Sequence, residues 1–244
     1  AEFELFDYLD RLHPFITENT DLKNTGYGTG PFYSRITDKP APLKSIPRYY
    51  RRFGLPRELF RKCLRQKQPF DFAFLQTTMT YWYPGVKEVI EDIRTESPRT
   101  KIILGGNYPT LCPDHAGSLG ADLLVKTPEL EPLWKFLKVK PQFQNIPLWH
   151  LYDKVSAGVT KISDGCPFHC TYCCVPRVYG RFRPRRLELA FSEVGLLADM
   201  NVRNIAFYDD ALLCDAENVL LPFLQKILQR DIAINFHCPN ALNA

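Results

Sequence analysis

The stretch GVTKISDGCPFHCTYCCVP, residues 158–176, decides how the rest of the chain is read. It opens on a short apolar run, GVTKIS, with the length and β-branched content of a buried strand. It then enters a loop in which Cys166, Cys170 and Cys173 are separated by three and then two residues. Three thiols on one short loop can converge on a single inorganic centre, and soft sulfur ligands select zinc, copper(I) or iron–sulfur clusters. A structural zinc site asks for four protein ligands in a closed tetrahedron, usually as two paired knuckles. A second pair is missing here. His169 and Cys174 are the remaining donors nearby, and each adjoins a cysteine of the triplet. Bacterial ferredoxins put two residues between their first cysteines and a fourth cysteine before proline, which this loop lacks. Three cysteines on a four-iron cluster leave one iron open, and an open coordination position is what a metal centre needs to bind a substrate or cofactor. A non-catalytic zinc or structural module stands as the alternative.

Outward from the loop the chain alternates strand and helix. Downstream, Leu187–Met200 has helical spacing, NIAFYDD (204–210) reads as a strand, Ala216–Gln229 as a helix and DIAINF (231–236) as a strand. Upstream, DFAFLQT (71–77) and KIILGG (101–106) are strands. They flank a helix whose apolar residues fall at Val86, Val89, Ile90 and Ile93. A short helix over Pro113–Leu119, the strand ADLLVK (121–126) and a helix over Glu129–Leu137 continue the series. Such alternation predicts a parallel sheet with helices on its faces. Val139–Asp153, with Pro141 and Pro147 and no sustained period, reads as an ordered linker. It sets a boundary near residue 150, with domains over 1–150 and 151–244.

An eight-unit βα barrel takes about 250 residues. The second series supplies three strands, hence the first part of a barrel, and the first series lacks an apolar opening strand. Truncation at both ends is the expectation. Residues 1–69 read as long loops and short helices, with RYYRRFGLPRELFRKCLRQK (48–67) as a basic helical stretch interrupted at Pro56.

The 244 residues are 45% hydrophobic and 24% charged with a net charge of +4, which excludes a disordered or fibrous chain and demands no polyanionic partner. No apolar run approaches a membrane span and the first residues form no secretory signal, so a cytoplasmic protein without membrane contact is expected. Of the eight cysteines, Cys63, Cys112, Cys214 and Cys238 are scattered, as small buried hydrophobes are.

The triplet Cys166-x3-Cys170-x2-Cys173, with aromatic Tyr172 before its third cysteine and a strand before its first, resembles the signature of the radical S-adenosylmethionine (SAM) superfamily. The resemblance implies a 4Fe-4S cluster on those three cysteines. SAM would chelate the open iron through its amino and carboxylate groups. An electron from the reduced cluster, supplied by an external donor, would cleave SAM to methionine and a 5′-deoxyadenosyl radical that takes a substrate hydrogen. FYDDALL (207–213) resembles the Asp-Asp version of a strand-end motif that meets the SAM ammonium in cobalamin-associated members, which implies Asp209 and Asp210 as SAM contacts. A helix cap by Asp210 or Asp215 is the plain alternative. Tyr172 and Asn240, the latter with His237 and Cys238 in HCPNALNA (237–244), are placed by the same resemblance at the SAM site, although Asn240 could equally shape a turn. Arg177, Arg181, Arg183, Arg185 and Arg186 could hold an anion or form a solvated basic loop.

Ahead of the barrel, TTMTYWYPGV (77–86) and LGGNYPTLCPDHA (104–116) resemble the N-terminal cobalamin-binding, Rossmann-like domain of a radical SAM subgroup. This implies close approach of Gly105 and Gly106 to cobalamin and, with it, radical methyl transfer. Two features depart from cobalamin proteins. The Asp-x-His-x-x-Gly motif is absent, and KTPELEPLW (126–134) replaces a Gly-Glu-Gly-Glu type of turn.

The fold class expected is therefore α/β: a Rossmann-like parallel-sheet domain followed by part of a radical SAM, TIM-type βα barrel. The leading function is a radical SAM enzyme acting on a small molecule. The competing one is an RNA-modifying radical SAM protein that uses the arginines and lysines of 48–67, interleaved with Tyr49, Tyr50, Phe53 and Phe60.

Overall fold

The computed structural model describes residues 2–23, 25–141 and 146–240. The chain opens with α1 (Pro14–Asn19), where the Phe15 amide donates to His13 Nδ1 at 3.1 Å. Next comes a two-stranded antiparallel ribbon of β1 (Ser34–Thr37) and β2 (Tyr50–Phe53), with Ser34 opposite Phe53. This corrects the helical reading of 48–55. Tyr50 and Arg52 share the more buried face and Arg51 and Phe53 the exposed one, which is a period of two and not of 3.6. The helix starts where proline allows it to, with Pro56 at the N-cap of α2 (Arg57–Lys67).

β3 (Phe72–Thr77), α3 (Tyr83–Glu96) and β4 (Lys101–Gly106) form the first βαβ unit, and Val86, Ile90 and Ile93 of α3 are buried as their spacing predicts. α4 (Asn107–Leu111), α5 (Pro113–Gly117), β5 (Leu123–Leu124) and α6 (Glu131–Leu137) complete a parallel sheet of order β3-β4-β5. Its core joins Phe60, Leu64, Ile90, Ile93, Ile102, Leu104 and Tyr108.

The charged face of α2 lies along α3. Arg57 Nε donates to both carboxylate oxygens of Asp92 at 2.8 Å, Arg61 and Arg65 reach Glu96, and Arg52 of β2 pairs with Glu88. Asp92 is only 1% exposed. Removing one partner of a buried ion pair strands the other charge, so Arg57→Ala is expected to destabilise the chain by about 2 kcal/mol. This is less than a fully buried pair would lose, because Arg61 stays 3.7 Å from Asp92. Chemical denaturation of the two proteins checks it.

The second sheet is built from β6 (Gly158–Thr160), β9 (Asn204–Phe207) and β10 (Asn235–His237), parallel and in the order β10-β9-β6. Each successive strand adds beside the last, as in a βα barrel. Between β6 and β9 lie β7 (Ser163–Asp164), which pairs antiparallel with β8 (Arg183–Pro184) around the short α7 (Val175–Val178), and then α8 (Leu187–Asp199). α9 (Leu220–Gln229) packs on α8. Ile162, Val194, Leu197, Ile205, Phe207 and Phe223 centre the core.

α9 begins at Leu220 and not at Ala216 because Asp215 takes φ 54 in a turn closed by Asn218, whose Nδ2 donates to Asp215 Oδ1 at 2.7 Å. β10 starts only at Asn235, after Asp231 at φ 52. Neither Asp210 nor Asp215 caps α9, whose N-terminus has no side-chain cap.

The first thirty residues touch both sheets. Phe6 packs edge-on and Tyr8 at a tilt against Phe60 of the first core, while Asn204 Nδ2 donates to the Gly26 carbonyl at 2.7 Å and Tyr27 lies 4.9 Å from the His237 ring. In addition α4, which follows β4 directly, packs against α7, which follows the cysteine loop. Residues 142–145 of the expected linker and 241–244 of HCPNALNA lie outside the described residues. Among the described residues no helix is long and apolar enough to cross a membrane.

Candidate functional site

The cysteine loop is held at its root by backbone geometry. Gly165 sits at φ 73, and a Cβ there would meet the carbonyl oxygens of Arg181 at 2.5 Å and Gly180 at 2.6 Å. The loop can pass under the 180–181 segment only because residue 165 has no side chain. On the other side, Arg185 donates through its amide to the Ile162 carbonyl at 2.8 Å and through Nη1 to the Lys161 carbonyl at 3.0 Å. The Cys173 amide closes a turn on the Cys170 carbonyl at 3.0 Å, and the Cys174 carbonyl accepts from the Arg177 and Val178 amides as α7 begins.

Of the triplet, Cys166 is buried, Cys170 exposed and Cys173 half-buried; Cys174 is exposed. Tyr172 is 90% exposed. Its hydroxyl pKa is raised, first by its hydrogen bond to Cys170. Among the described residues no three His, Cys, Asp or Glu side chains are gathered closely enough to hold one metal ion. The loop offers a soft, all-sulfur donor set, which is the chemistry that iron–sulfur clusters take.

The two aspartates after β9 behave differently. The Asp209 carboxylate is 1% exposed and turned inward, accepting from the Ser163 amide at 2.6 Å, the Ser163 hydroxyl at 2.5 Å and the Ile162 amide at 3.1 Å. Burial raises its pKa, and the Ser163 and Ile162 donors oppose the rise. Asp210 Oδ2 is buried with no hydrogen-bond partner; the Lys161 ammonium stands 3.7 Å away. Its pKa too is raised by burial, against the pull of Lys161. Lys161 also meets Asp164 at 3.3 Å and lies over the Tyr179 ring at 4.4 Å. Asn240 Nδ2 donates to the Asp209 carbonyl at 3.1 Å, which brings the end of β10 to the same place.

A third acid was not singled out from the sequence. Glu193 on α8 is buried and accepts from the Thr160 hydroxyl at 3.0 Å. An alternating polar residue on an amphipathic helix gives no sign of turning inward, so the sequence carried no signal for it. Burial raises its pKa. A carboxyl whose folded pKa lies above its unfolded value contributes stability that is present below the unfolded pKa and lost as pH rises through the folded one. Glu193→Gln is therefore expected to melt higher than the unsubstituted chain at neutral pH and to flatten the fall of melting temperature from the ordinary carboxylate range upward. Asp209 and Asp210 keep part of that slope.

In the first sheet, Gly105 and Gly106 end β4. Gly106 is at φ 96, where a Cβ would come within 2.6 Å of the Thr77 carbonyl. The segment after β3 presents Met79, Tyr81 and Trp82 to solvent, with Tyr83 at the start of α3. His115 is engaged by Tyr108, whose hydroxyl lies 2.6 Å from Nδ1. Because α4 packs on α7, the carboxyl end of this sheet is joined to the cysteine loop.

No protein-family model matches the chain. A ribosomal protein uS12 methylthiotransferase RimO of Solibacter usitatus is 29% identical over 140 residues, which are 57% of this chain and 28% of that protein. RimO of Pelobacter propionicus is 29% identical over 116 residues, 47% of this chain and 24% of its own length. The threonylcarbamoyladenosine tRNA methylthiotransferase MtaB of Thermotoga maritima is 30% identical over 43% of this chain and 27% of its own length. The chain thus spans about a quarter of these curated relatives. In fold it is similar to the radical SAM methyltransferase TsrM of Kitasatospora setae, solved with its tryptophan substrate and a SAM analogue, at a TM-score of 0.58 and 14% identity over 71% of this chain and 43% of that one. The structure of the same enzyme with cobalamin and a 4Fe-4S cluster gives 0.57.

Proposed function

We propose that this chain, a radical SAM protein by sequence kinship and fold with a cobalamin-binding-like first domain, carries a 4Fe-4S cluster on Cys166, Cys170 and Cys173 and binds SAM at its open iron. The observation that carries the reading is the loop itself: three thiols at the family spacing, after a strand of a parallel sheet, with the loop's root fixed by Gly165 and Arg185. When bound, the cluster and SAM supply the one-electron cleavage that starts radical chemistry, with an electron donor outside the chain.

The chain's own residues do the rest. Asp210 has a carboxylate oxygen without a hydrogen-bond partner near Lys161, the charge best suited to the SAM ammonium. Tyr172 lies exposed at the loop's outer edge and Asn240 closes the mouth over Asp209. Gly105 and Gly106, at the carboxyl end of β4, would lie against the cobalamin, with the aromatic segment 79–83 nearby. We assign residues 1–150 to the cobalamin-binding-like domain and linker, and 151–244 to the first part of the barrel, in a cytoplasmic protein.

The reaction class is transfer of a one-carbon or methylthio group, since the relatives are named methylthiotransferases and the fold neighbour a methyltransferase. The named substrates of those proteins include a ribosomal protein, a tRNA and tryptophan, so both macromolecular and small substrates belong to the proposal. Recognition of RNA through 48–67 is the weaker route. Arg52, Arg57, Arg61 and Arg65 are already paired with carboxylates of α3. Iron and acid-labile sulfide in the anaerobically reconstituted chain test the proposal. About four of each per chain are expected, and stoichiometric zinc without sulfide would refute it.

A further inference from the structure

We infer that Asp209 is a positioning residue: a buried carboxylate that locks the backbone entering the cysteine loop, and not a group that touches SAM. The inference rests on the cluster reading above and alters the role expected for this residue.

Asp209 stands at the carboxyl end of β9, where a side chain in a βα barrel ordinarily faces the mouth. Here it points across to the neighbouring strand's continuation and is 1% exposed. Its Oδ1 accepts from the Ser163 amide, the Ser163 hydroxyl and the Ile162 amide at 2.5 to 3.1 Å, and its Oδ2 accepts from the Ile162 amide at 3.3 Å, Ile162 and Ser163 being residues between β6 and Gly165. Those two amides lie where the β6–β9 ladder has ended, since its last registered pair is Thr160 with Phe207. Without the carboxylate they would be buried donors lacking a partner on that side, which is costly. The carboxylate extends the sheet's hold by two residues and stops three residues short of Cys166. The Asp209 carbonyl receives Asn240, so one residue ties the ends of three strands together. Charge-assisted bonds to backbone amides are strong and directional, and a loop carrying three ligands needs its entry fixed to a fraction of an ångström.

Asp209→Ala is the test, because it removes both acceptor oxygens, whereas an asparagine could keep the oxygen that takes three of the four bonds. In the cluster-free chain, amide exchange at Ile162 and Ser163 is expected to rise by about tenfold, one strong hydrogen bond's worth. In the reconstituted chain, cluster occupancy should fall and the paramagnetic signal of the remaining cluster should lose its response to SAM, with the circular dichroism spectrum unchanged. Ser163→Ala, which removes only the hydroxyl donor, should move the same readouts less, and it serves if the Asp209→Ala variant fails to fold. Unchanged exchange in both variants overturns the inference. So does raised exchange with a cluster and SAM response like those of the unsubstituted chain, which would make the lock merely structural. If the unsubstituted chain itself takes up no cluster, the functional reading falls, and exchange over residues 162–170 still decides whether Asp209 holds the loop.

Discussion

Replacing Cys166, Cys170 or Cys173 by alanine is expected to abolish the four-iron signal of the reconstituted chain, whereas Cys63→Ala or Cys112→Ala leaves it intact. In the proposed cluster each thiolate of the triplet would hold a separate iron, and a cluster already short of one protein ligand has no spare. The neighbouring thiol, Cys174, is not a substitute, because its carbonyl begins α7 by accepting from Arg177 and Val178 and its backbone is fixed by that helix. Cys63 and Cys112 lie in the other unit, on α2 and at the α4–α5 junction. Iron analysis together with the electron paramagnetic resonance spectrum checks the series. A Cys173→Ala variant with full iron and an unaltered signal would show that Cys174 or His169 can serve.

The second large effect is expected at Gly165→Ala. The new Cβ would fall 2.5 Å from the Arg181 carbonyl oxygen and 2.6 Å from that of Gly180. Both are backbone atoms of the segment leading into β8, so no flexible side chain can give way. The residue would also have to hold φ 73, a left-handed conformation that costs a non-glycine residue about 1 kcal/mol or more before any clash. Together the strain and the clash are expected to cost about 3 kcal/mol and to displace Cys166, the next residue. A lowered melting temperature with most of the iron lost is the expected outcome. An alanine variant that melts and loads like the unsubstituted chain would mean that the loop does not pass beneath residues 180–181.

Much of this architecture was legible because burial imposes a period. Val86, Ile90 and Ile93 mark the inner face of α3, and the apolar runs at 101–106 and 204–207 mark strands packed into parallel sheets, whereas the run at 72–77 forms an edge strand with Phe72 and Phe74 exposed. The cysteine triplet was legible because ligand spacing on a loop is local. What escaped was set by contacts distant in sequence. Residues 50–53 looked helical, whereas they pair as a strand with 34–37, a partner that their own spacing does not show. β7 and β8 are two residues each, too short to carry a pattern. The inward turn of Asp209 depends on amides 46 and 47 positions earlier, and a carboxylate at a strand's end reads alike from sequence whether it faces a ligand or a neighbouring strand. The chain spans about a quarter of the length of the relatives it matches, and no residue of the site speaks for one substrate.

One measurement bears on the centre of the account: the electron paramagnetic resonance spectrum of the anaerobically reconstituted, reduced chain, recorded without and with SAM. The account predicts a four-iron signal whose g-values move when SAM is added, as the open iron takes its amino and carboxylate groups. A chain that holds zinc and no cluster, or a cluster signal that SAM leaves untouched, would contradict it.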